Sequence, residues 1–122
     1  MKNIMIIIGV VFILAGLLGF VNNPILGILA VDTLHNIIHL ATGVLAIVFA
    51  MQGEAQGRKF FLIFGIVYAL VTILGFLTGD GKILGLVTVN GADNIFHLLV
   101  TVVFLVIGLK KPASSGSMSS TM

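Results

Sequence analysis

The chain has 122 residues, of which 59% are hydrophobic and 8% are charged, with a formal net charge of +2. A soluble domain carries about 25% charged residues, so these charges are too few to cover a water-facing surface, and the chain is also too apolar to be disordered. We therefore expect one membrane domain and, without a basic stripe with interleaved aromatics, no nucleic-acid partner. The lack of cysteine excludes disulfides and thiolate metal sites.

Four stretches of the chain are apolar enough to cross a lipid bilayer as helices, which takes about 20 largely apolar residues. In chain order these predicted spans are residues 4–20, about 34–51, about 60–77 and about 95–109. Turn-forming residues separate them, in segments 22–24, 53–57 and 79–81. We expect a four-span transmembrane domain over residues 1–112, followed by a disordered cytoplasmic tail over residues 113–122, which is rich in serine, glycine and methionine.

The basic residues are distributed unequally between the two ends of the predicted spans. One side carries Lys2, Arg58, Lys59, Lys110 and Lys111, and the other carries only Lys82. Because basic residues in short loops mark the cytoplasmic side, we expect a multi-pass protein whose N- and C-termini are both cytoplasmic. The loops around residues 21–33 and 78–92 then face outward, and Glu54, Arg58 and Lys59 form a solvated inner loop.

The chain also contains an internal repeat. Residues 9–20 align without gaps on residues 65–76, and both segments end in Leu-Gly-Phe. After a two-residue insertion, the Ile-Leu-Gly of residues 25–27 aligns on the same tripeptide at residues 83–85. The predicted fold is therefore all-α, an antiparallel transmembrane four-helix bundle made of two tandem helical-hairpin repeats, about 4–52 and about 60–110.

Each repeat carries four polar residues with the spacing i, i+3, i+4, i+7, which places them on one face of a helix near its outer end. Asp32 and Asn90 begin these two sets and are preferred N-cap residues, so we expect both to cap helices. Lipid offers no hydrogen-bond partner, so the other six side chains are expected to turn inward and meet. This predicted polar cluster consists of His35, Asn36, His39, Asp93, Asn94 and His97.

Two interpretations of the predicted polar cluster stay open at this point. In the first, which we expect, the protein is not an enzyme, holds no cofactor, and uses interhelical hydrogen bonds in a structural or interaction role. The bilayer is then its main partner, with a homo-oligomer or a larger membrane assembly as further ones. Tyr68, in the middle of the third span, also needs a partner for its hydroxyl.

In the second interpretation the cluster binds a metal or haem and serves electron transfer or proton handling. Zinc takes four nitrogen or oxygen ligands, which His35, His39, Asp93 and His97 could supply. Haem b would instead use His39 and His97 as its axial ligands. We rank haem below zinc, because Thr101 leaves less room than Gly43 for a ring edge one turn below the histidines.

The polar segments resemble a known family. Residues 34–40 (Leu-His-Asn-Ile-Ile-His-Leu) and 89–98 (Val-Asn-Gly-Ala-Asp-Asn-Ile-Phe-His-Leu) are similar to the two signature segments of a bacterial four-helix membrane family, domain of unknown function 4383. The resemblance extends over residues 4–110 and includes the Leu-Gly-Phe at the end of the first span. It implies a small bacterial integral membrane protein, which we expect in the inner membrane, and it implies no particular activity.

Overall fold

The computed structural model describes residues 1–110 of the chain. Its helices are α1 Lys2–Val21, α2 Thr33–Met51, α3 Glu54–Thr78 and α4 Gly91–Leu109. All four helices are long and apolar enough to cross a membrane. The predicted all-α class and the four apolar helices are therefore confirmed. The predicted tail over residues 113–122 lies outside the described residues.

The helices pack mainly as two hairpins, α1 against α2 and α3 against α4. Glycines bring the backbones together: a Cβ added at Gly16 would lie 2.6 Å from Leu40 Cγ, and one added at Gly65 would lie 2.8 Å from Leu105 Cδ2. Gly9 lies against Ile47, whereas Gly16, two turns later in α1, lies against Leu40, which is earlier in α2. The two helices therefore run in opposite directions. Small residues at such contacts are typical of membrane helices, which gain stability from close packing.

The inner turn between α2 and α3 differs from the prediction. Only Gln52 and Gly53 separate the two helices, and Gly53 has a φ of 134°, which glycine adopts readily. Arg58 is buried, and its Nη1 lies 3.9 Å from Glu54 Oε1 one helical turn earlier. The prediction of a loop was wrong here, because Glu54, Arg58 and Lys59 all lie in the first turns of α3. The prediction of solvation was wrong for Arg58 alone, since Glu54 and Lys59 are exposed.

The two connections predicted to face outward fold over the ends of the helices. Between α3 and α4 the strands β1 Gly81–Ile83 and β2 Val87–Val89 pair antiparallel, whereas the first outer loop contains a single bridge between Ile25 and Leu29. The sequence analysis did not anticipate this sheet. Leu26 and Leu84, which are equivalent in the repeat alignment, both have a φ of 51°. The tandem repeat stays a prediction, and these matching turns support it.

An aromatic core fills the bundle below the outer ends of α2 and α4. The ring centroid of Phe12 lies 5.6 Å from that of His39, 5.8 Å from that of Tyr68 and 5.6 Å from that of Phe104. Phe61 packs edge-on against Phe104 at 4.6 Å. This core joins the two hairpins and packs against the polar side chains of α2 and α4.

Candidate functional site

The polar faces of α2 and α4 begin with capped helix ends. Asp32 Oδ1 accepts a hydrogen bond from the N–H of His35 at 2.8 Å, and Asn90 Oδ1 accepts one from the N–H of Asp93 at the same distance. Asp93 Oδ2 in turn accepts a hydrogen bond from the N–H of Asn90 at 3.0 Å, which completes a capping box. Both residues predicted as caps accept these bonds, and the Asp93 carboxylate is engaged at the end of α4.

Asp32 also connects the two hairpins. Its Oδ2 accepts hydrogen bonds from the N–H of Thr88 at 2.9 Å and from the Thr88 hydroxyl at 2.8 Å. Burial disfavours the charged carboxyl, but the hydrogen bonds from His35 and Thr88 outweigh it and lower the pKa of Asp32 below its usual value. Asp32 is therefore a carboxylate that fixes β2 to the start of α2.

Three of the predicted residues, His35, His39 and His97, converge from α2 and α4, and we call them the histidine cluster. The ring centroids of His35 and His39 lie 4.4 Å apart, and that of His97 lies 5.4 Å from His35 and 6.1 Å from His39. Each side chain is at most 2% exposed. One ring nitrogen from each of the three lies within 4.8 Å of the others, so the cluster presents three nitrogen ligands to one point.

Most ring nitrogens of the histidine cluster have no hydrogen-bond partner. His35 Nδ1 lies 2.7 Å from the carbonyl oxygen of Thr88. A carbonyl only accepts, so Nδ1 carries the proton and donates it, and the lone pair is on His35 Nε2. Among the described residues, His35 Nε2, both ring nitrogens of His39 and Nδ1 of His97 are buried without a partner. Buried polar atoms are rarely left unpaired in proteins, so these nitrogens call for an explanation.

The two asparagines do not join the histidine cluster. Asn36 lies against Gly19 of α1, and Asn94 lies against Gly75 of α3, where its Nδ2 donates to the Gly75 carbonyl at 2.9 Å. Successive helix residues are separated by about 100° around the axis, so Asn36 faces α1 while its neighbour His35 faces α4. The predicted cluster of six is thus divided: three histidines converge, two asparagines pack within their own hairpins, and Asp93 caps α4.

A cavity of about 100 Å³ adjoins the histidine cluster between α2 and α3. Thr42 and Tyr68 are among its lining residues, and their hydroxyls are hydrogen-bonded to each other at 2.9 Å. This bond gives Tyr68 the partner it was expected to need. The remaining lining is apolar and consists of Ile38, Phe64, Val67, Val71, Ile83 and Val87. Sequence reasoning missed the role of Thr88 and the pairing of Thr42, because both depend on contacts between residues far apart in the chain.

The deeper threonines, Thr72 of α3 and Thr101 of α4, bond within the second hairpin, where their hydroxyl oxygens lie 3.2 Å apart. Thr72 donates its hydroxyl proton to the carbonyl of Tyr68 at 2.7 Å, and Thr101 donates to the carbonyl of His97 at 2.8 Å. Each threonine therefore bonds to its own helix one turn earlier. In the described residues these hydroxyls do not extend the histidine cluster toward the inner end.

Four helices that are long and apolar enough to cross a membrane, with a buried polar cluster near one end of the bundle, are typical of a small multi-span membrane protein. A family model described as domain of unknown function (DUF4383) matches residues 2–110. The chain therefore belongs to this family, as the resemblance of its two polar segments predicted. The curated proteins and the solved structures gave no match.

Proposed function

We propose that this protein binds a divalent transition metal, with zinc as the favoured ion, at the histidine cluster. The observation that carries the proposal is the convergence of three buried imidazoles, each of which has at least one ring nitrogen without a hydrogen-bond partner among the described residues. Zinc is commonly held by three histidines, and Zn–N bonds of about 2.0–2.1 Å place two tetrahedral nitrogens about 3.3 Å apart. One ring nitrogen of each histidine already lies within 4.8 Å of the other two. Modest rotations of the rings bring these nitrogens to the distance that zinc requires.

The surroundings of His35 support metal binding. A histidine that ligates a metal almost always donates its other N–H to a carbonyl or a carboxylate, which fixes the ring and its tautomer. His35 Nδ1 makes this bond to Thr88, and Thr88 is held in turn by the Asp32 carboxylate. The negatively charged Asp32 thus supports the proposed ligand His35 indirectly, through Thr88.

The geometry favours a single ion over haem. A porphyrin bound by His39 and His97 would lie between their rings, but the ring of His35 is 4.4 Å from one and 5.4 Å from the other. The adjoining cavity of about 100 Å³ holds only a few heavy atoms. The lower rank that the sequence gave to haem is therefore supported by packing.

A purely structural cluster explains the geometry less well. Such a cluster would pair its own nitrogens, and no hydrogen bond joins two of the histidines among the described residues. The polar links between the hairpins join Asp32 and His35 to Thr88, Thr42 to Tyr68, and Asn90 to Ile28. Among the described residues, the rings of His39 and His97 make no such link. We propose that these pairs have the structural role and that the histidines bind the metal.

We further propose a binding role rather than an enzymatic one, since the sequence carries no recognised catalytic motif. The bias of basic residues supports cytoplasmic N- and C-termini in the inner membrane of a bacterium. The histidine cluster then lies below the outer surface, within reach of metal from that side. A homo-oligomer or a larger membrane assembly is compatible with the many apolar side chains on the outside of the bundle.

Elemental analysis of detergent-purified protein tests the metal site. We expect one zinc per chain in the wild type and loss of most of it in His39→Gln, because an amide replaces imidazole poorly as a zinc ligand. Thr101→Val, changed one turn below His97, is the matched control and should keep its zinc. A wild type without stoichiometric metal, in which His39→Gln is tolerated and His39→Leu is destabilised by about 1–3 kcal/mol, would favour the structural interpretation instead.

A further inference from the structure

Two apolar spaces lie one after the other between α2 and α3. The first is the cavity beside the histidine cluster, which Val67 and Val71 line from α3. The second has a volume of about 220 Å³, lies nearer the start of α3, and is lined by Phe49 of α2 and Phe60 of α3. Phe64 lines both spaces. They therefore adjoin at this ring, and we call them together the α2–α3 groove.

The α2–α3 groove is about as long as one acyl chain of a membrane lipid. Its lining on α3 recurs every three or four residues from Lys59 to Val71, which places it on one face of the helix. Twelve steps of 1.5 Å along the helix axis give a length of about 18 Å. One leaflet provides half of a hydrocarbon core that is about 30 Å thick. A chain that starts at Lys59 therefore reaches the cavity beside the histidine cluster.

The lining of the α2–α3 groove suits a hydrocarbon chain. The ring centroid of Phe60 lies 5.7 Å from that of Phe49 and 4.3 Å from that of Phe64, and both pairs are stacked. Further along, Ile38 and Val67 are 38% and 43% exposed on the outside of the bundle, so the cavity that they line is bordered by side chains that face the lipid. Apolar cavities stay dry and take up apolar molecules. The occupant of this path is therefore hydrocarbon.

The end of the α2–α3 groove near the start of α3 carries a positive charge. Lys59 and Gln56 line this end, and both are exposed. A lysine near the end of a spanning helix lays its apolar stem along the apolar surface and places its ammonium at the level of the lipid headgroups. The one ion pair among the described residues joins Glu54 to Arg58, so no carboxylate neutralises Lys59 there.

The opposite side of the bundle provides a comparison. Between α1 and α4 lies a groove of about 210 Å³, which Phe12 and Phe96 line together with aliphatic side chains. Neither a charged nor an amide side chain belongs to the lining of this second groove. The α2–α3 groove thus differs from it by a cation at one end. A cation beside an apolar path of acyl-chain length matches a lipid with an anionic headgroup.

We propose that the α2–α3 groove binds one anionic phospholipid. The headgroup contacts Lys59 and Gln56, and one acyl chain runs past Phe60 and Phe64 into the cavity beside the histidine cluster. This lipid site does not depend on the proposed metal, because the chain contacts apolar side chains and occupies no ligand position. The three histidines also line the cavity, so the end of the chain excludes water from that side of the cluster.

The fluorescence of Tyr68 tests the proposal, because the chain has one tyrosine and no tryptophan. Tyr68 lines the cavity and lies about 14 Å along α3 from Lys59, and bromine atoms on an acyl chain quench a tyrosine that they touch. The full-length protein in detergent micelles is titrated with phosphatidylglycerol or phosphatidylcholine that carry the same brominated chains. We expect the anionic lipid to quench Tyr68 at an about fivefold lower concentration, the effect of one lysine at an anionic lipid surface.

Two pairs of variants separate the headgroup from the chain. Lys59→Gln should remove the preference for the anionic lipid. Lys110→Gln should keep it, since Lys110 is an exposed basic residue at the same end of the bundle that does not line the groove. Val67→Phe narrows the path and should weaken quenching by both lipids several-fold. Ile73→Phe, which is exposed on α3 but does not line the cavity, should leave quenching unchanged.

The contrary results are distinct for each part of the lipid. Equal quenching by the two lipids in the wild type, or a preference that survives in Lys59→Gln, overturns the headgroup contact. Equal quenching in Val67→Phe and Ile73→Phe overturns the path of the chain. A Tyr68 that neither lipid quenches overturns the whole proposal, and a dimer in size-exclusion chromatography would then identify a second copy of the chain as the occupant.

Discussion

One carboxylate, that of Asp32, performs a local and a long-range task at once. Its Oδ1 caps α2 three residues onward, and its Oδ2 holds Thr88, which lies 56 residues further along the chain. The sequence was sufficient for the first task, since capping needs only the residue type and the apolar helix that follows. The second task depends on which backbone segment folds over the helix end, and a threonine in a short strand carries no such signal.

The lowered pKa of Asp32 predicts how stability depends on pH. A carboxyl whose pKa is lower in the folded state contributes stability above its usual pKa of about 3.9, and this contribution is lost as pH falls through the lower folded value. Asp32→Asn keeps a capping oxygen but carries no charge, so its stability should fall less over this acidic range. Thermal unfolding in detergent at a series of pH values measures the difference. Parallel curves for the two proteins would contradict the assignment.

The histidines show how far helix periodicity predicts which residues meet. Their spacing placed His35 and His39 on one face of a helix, and the repeat alignment placed His97 at a matching depth. Both features are periodic, so the sequence shows them directly. The same reasoning included Asn36 and Asn94, because four residues that share a broad helix face look equivalent in a pattern. The difference arises from which neighbouring helix each residue meets, α1 for Asn36 and α4 for His35.

At the scale of helices and strands, hydropathy located the spans to within a few residues except at the start of α3. The predicted third span began near residue 60, but α3 begins at Glu54. Charged residues in its first turns hid the helix from an argument based on apolar length. The strands β1 and β2 have three residues each, too few for an alternating pattern to stand out. Apolar length is thus a reliable signal for a span and a poor one for its ends.

The contact between each asparagine and a glycine leads to a prediction about hairpin packing. A Cβ added at Gly19 would overlap the side-chain amide of Asn36, and one added at Gly75 would overlap that of Asn94. We therefore expect Gly19→Ala and Gly75→Ala each to destabilise the protein by about 1–3 kcal/mol, the usual cost of overpacking. Gly91→Ala is the matched control, since a Cβ there meets nothing within 4 Å. Reversible unfolding in mixed micelles gives the three values.

Equal stability of Gly19→Ala and Gly91→Ala would show that Asn36 moves aside without cost. The result also bears on the internal repeat, because Gly19 and Gly75 are equivalent in the alignment, as are Asn36 and Asn94. Similar losses in the two alanine variants are expected if the two hairpins pack in the same way. A loss confined to one hairpin would mean that the repeat is not preserved in the packing.

At the scale of the whole molecule, two hairpins meet through a polar outer layer and an aromatic core. The histidine cluster forms only where they meet, because α2 supplies two rings and α4 supplies one. The sequence predicted a convergence of polar faces from the absence of partners in lipid. It did not predict the cavity, which depends on how α2 and α3 of different hairpins fit together. The candidate site is therefore a product of the tertiary contact between the two hairpins.

The orientation of the molecule decides from which side of the membrane the proposed metal site is reached. Five basic residues lie at the predicted inner ends of the spans and one at the outer ends, so we expect both termini to be cytoplasmic. Because the chain lacks cysteine, Lys82→Cys in β1 and Gln52→Cys between α2 and α3 each introduce a single thiol at an exposed residue. In intact cells a membrane-impermeant maleimide should label the thiol at position 82 and not the one at position 52. Permeabilised cells, in which both thiols should react, provide the control. The reverse pattern would place the histidine cluster on the cytoplasmic side and require metal to arrive from within the cell.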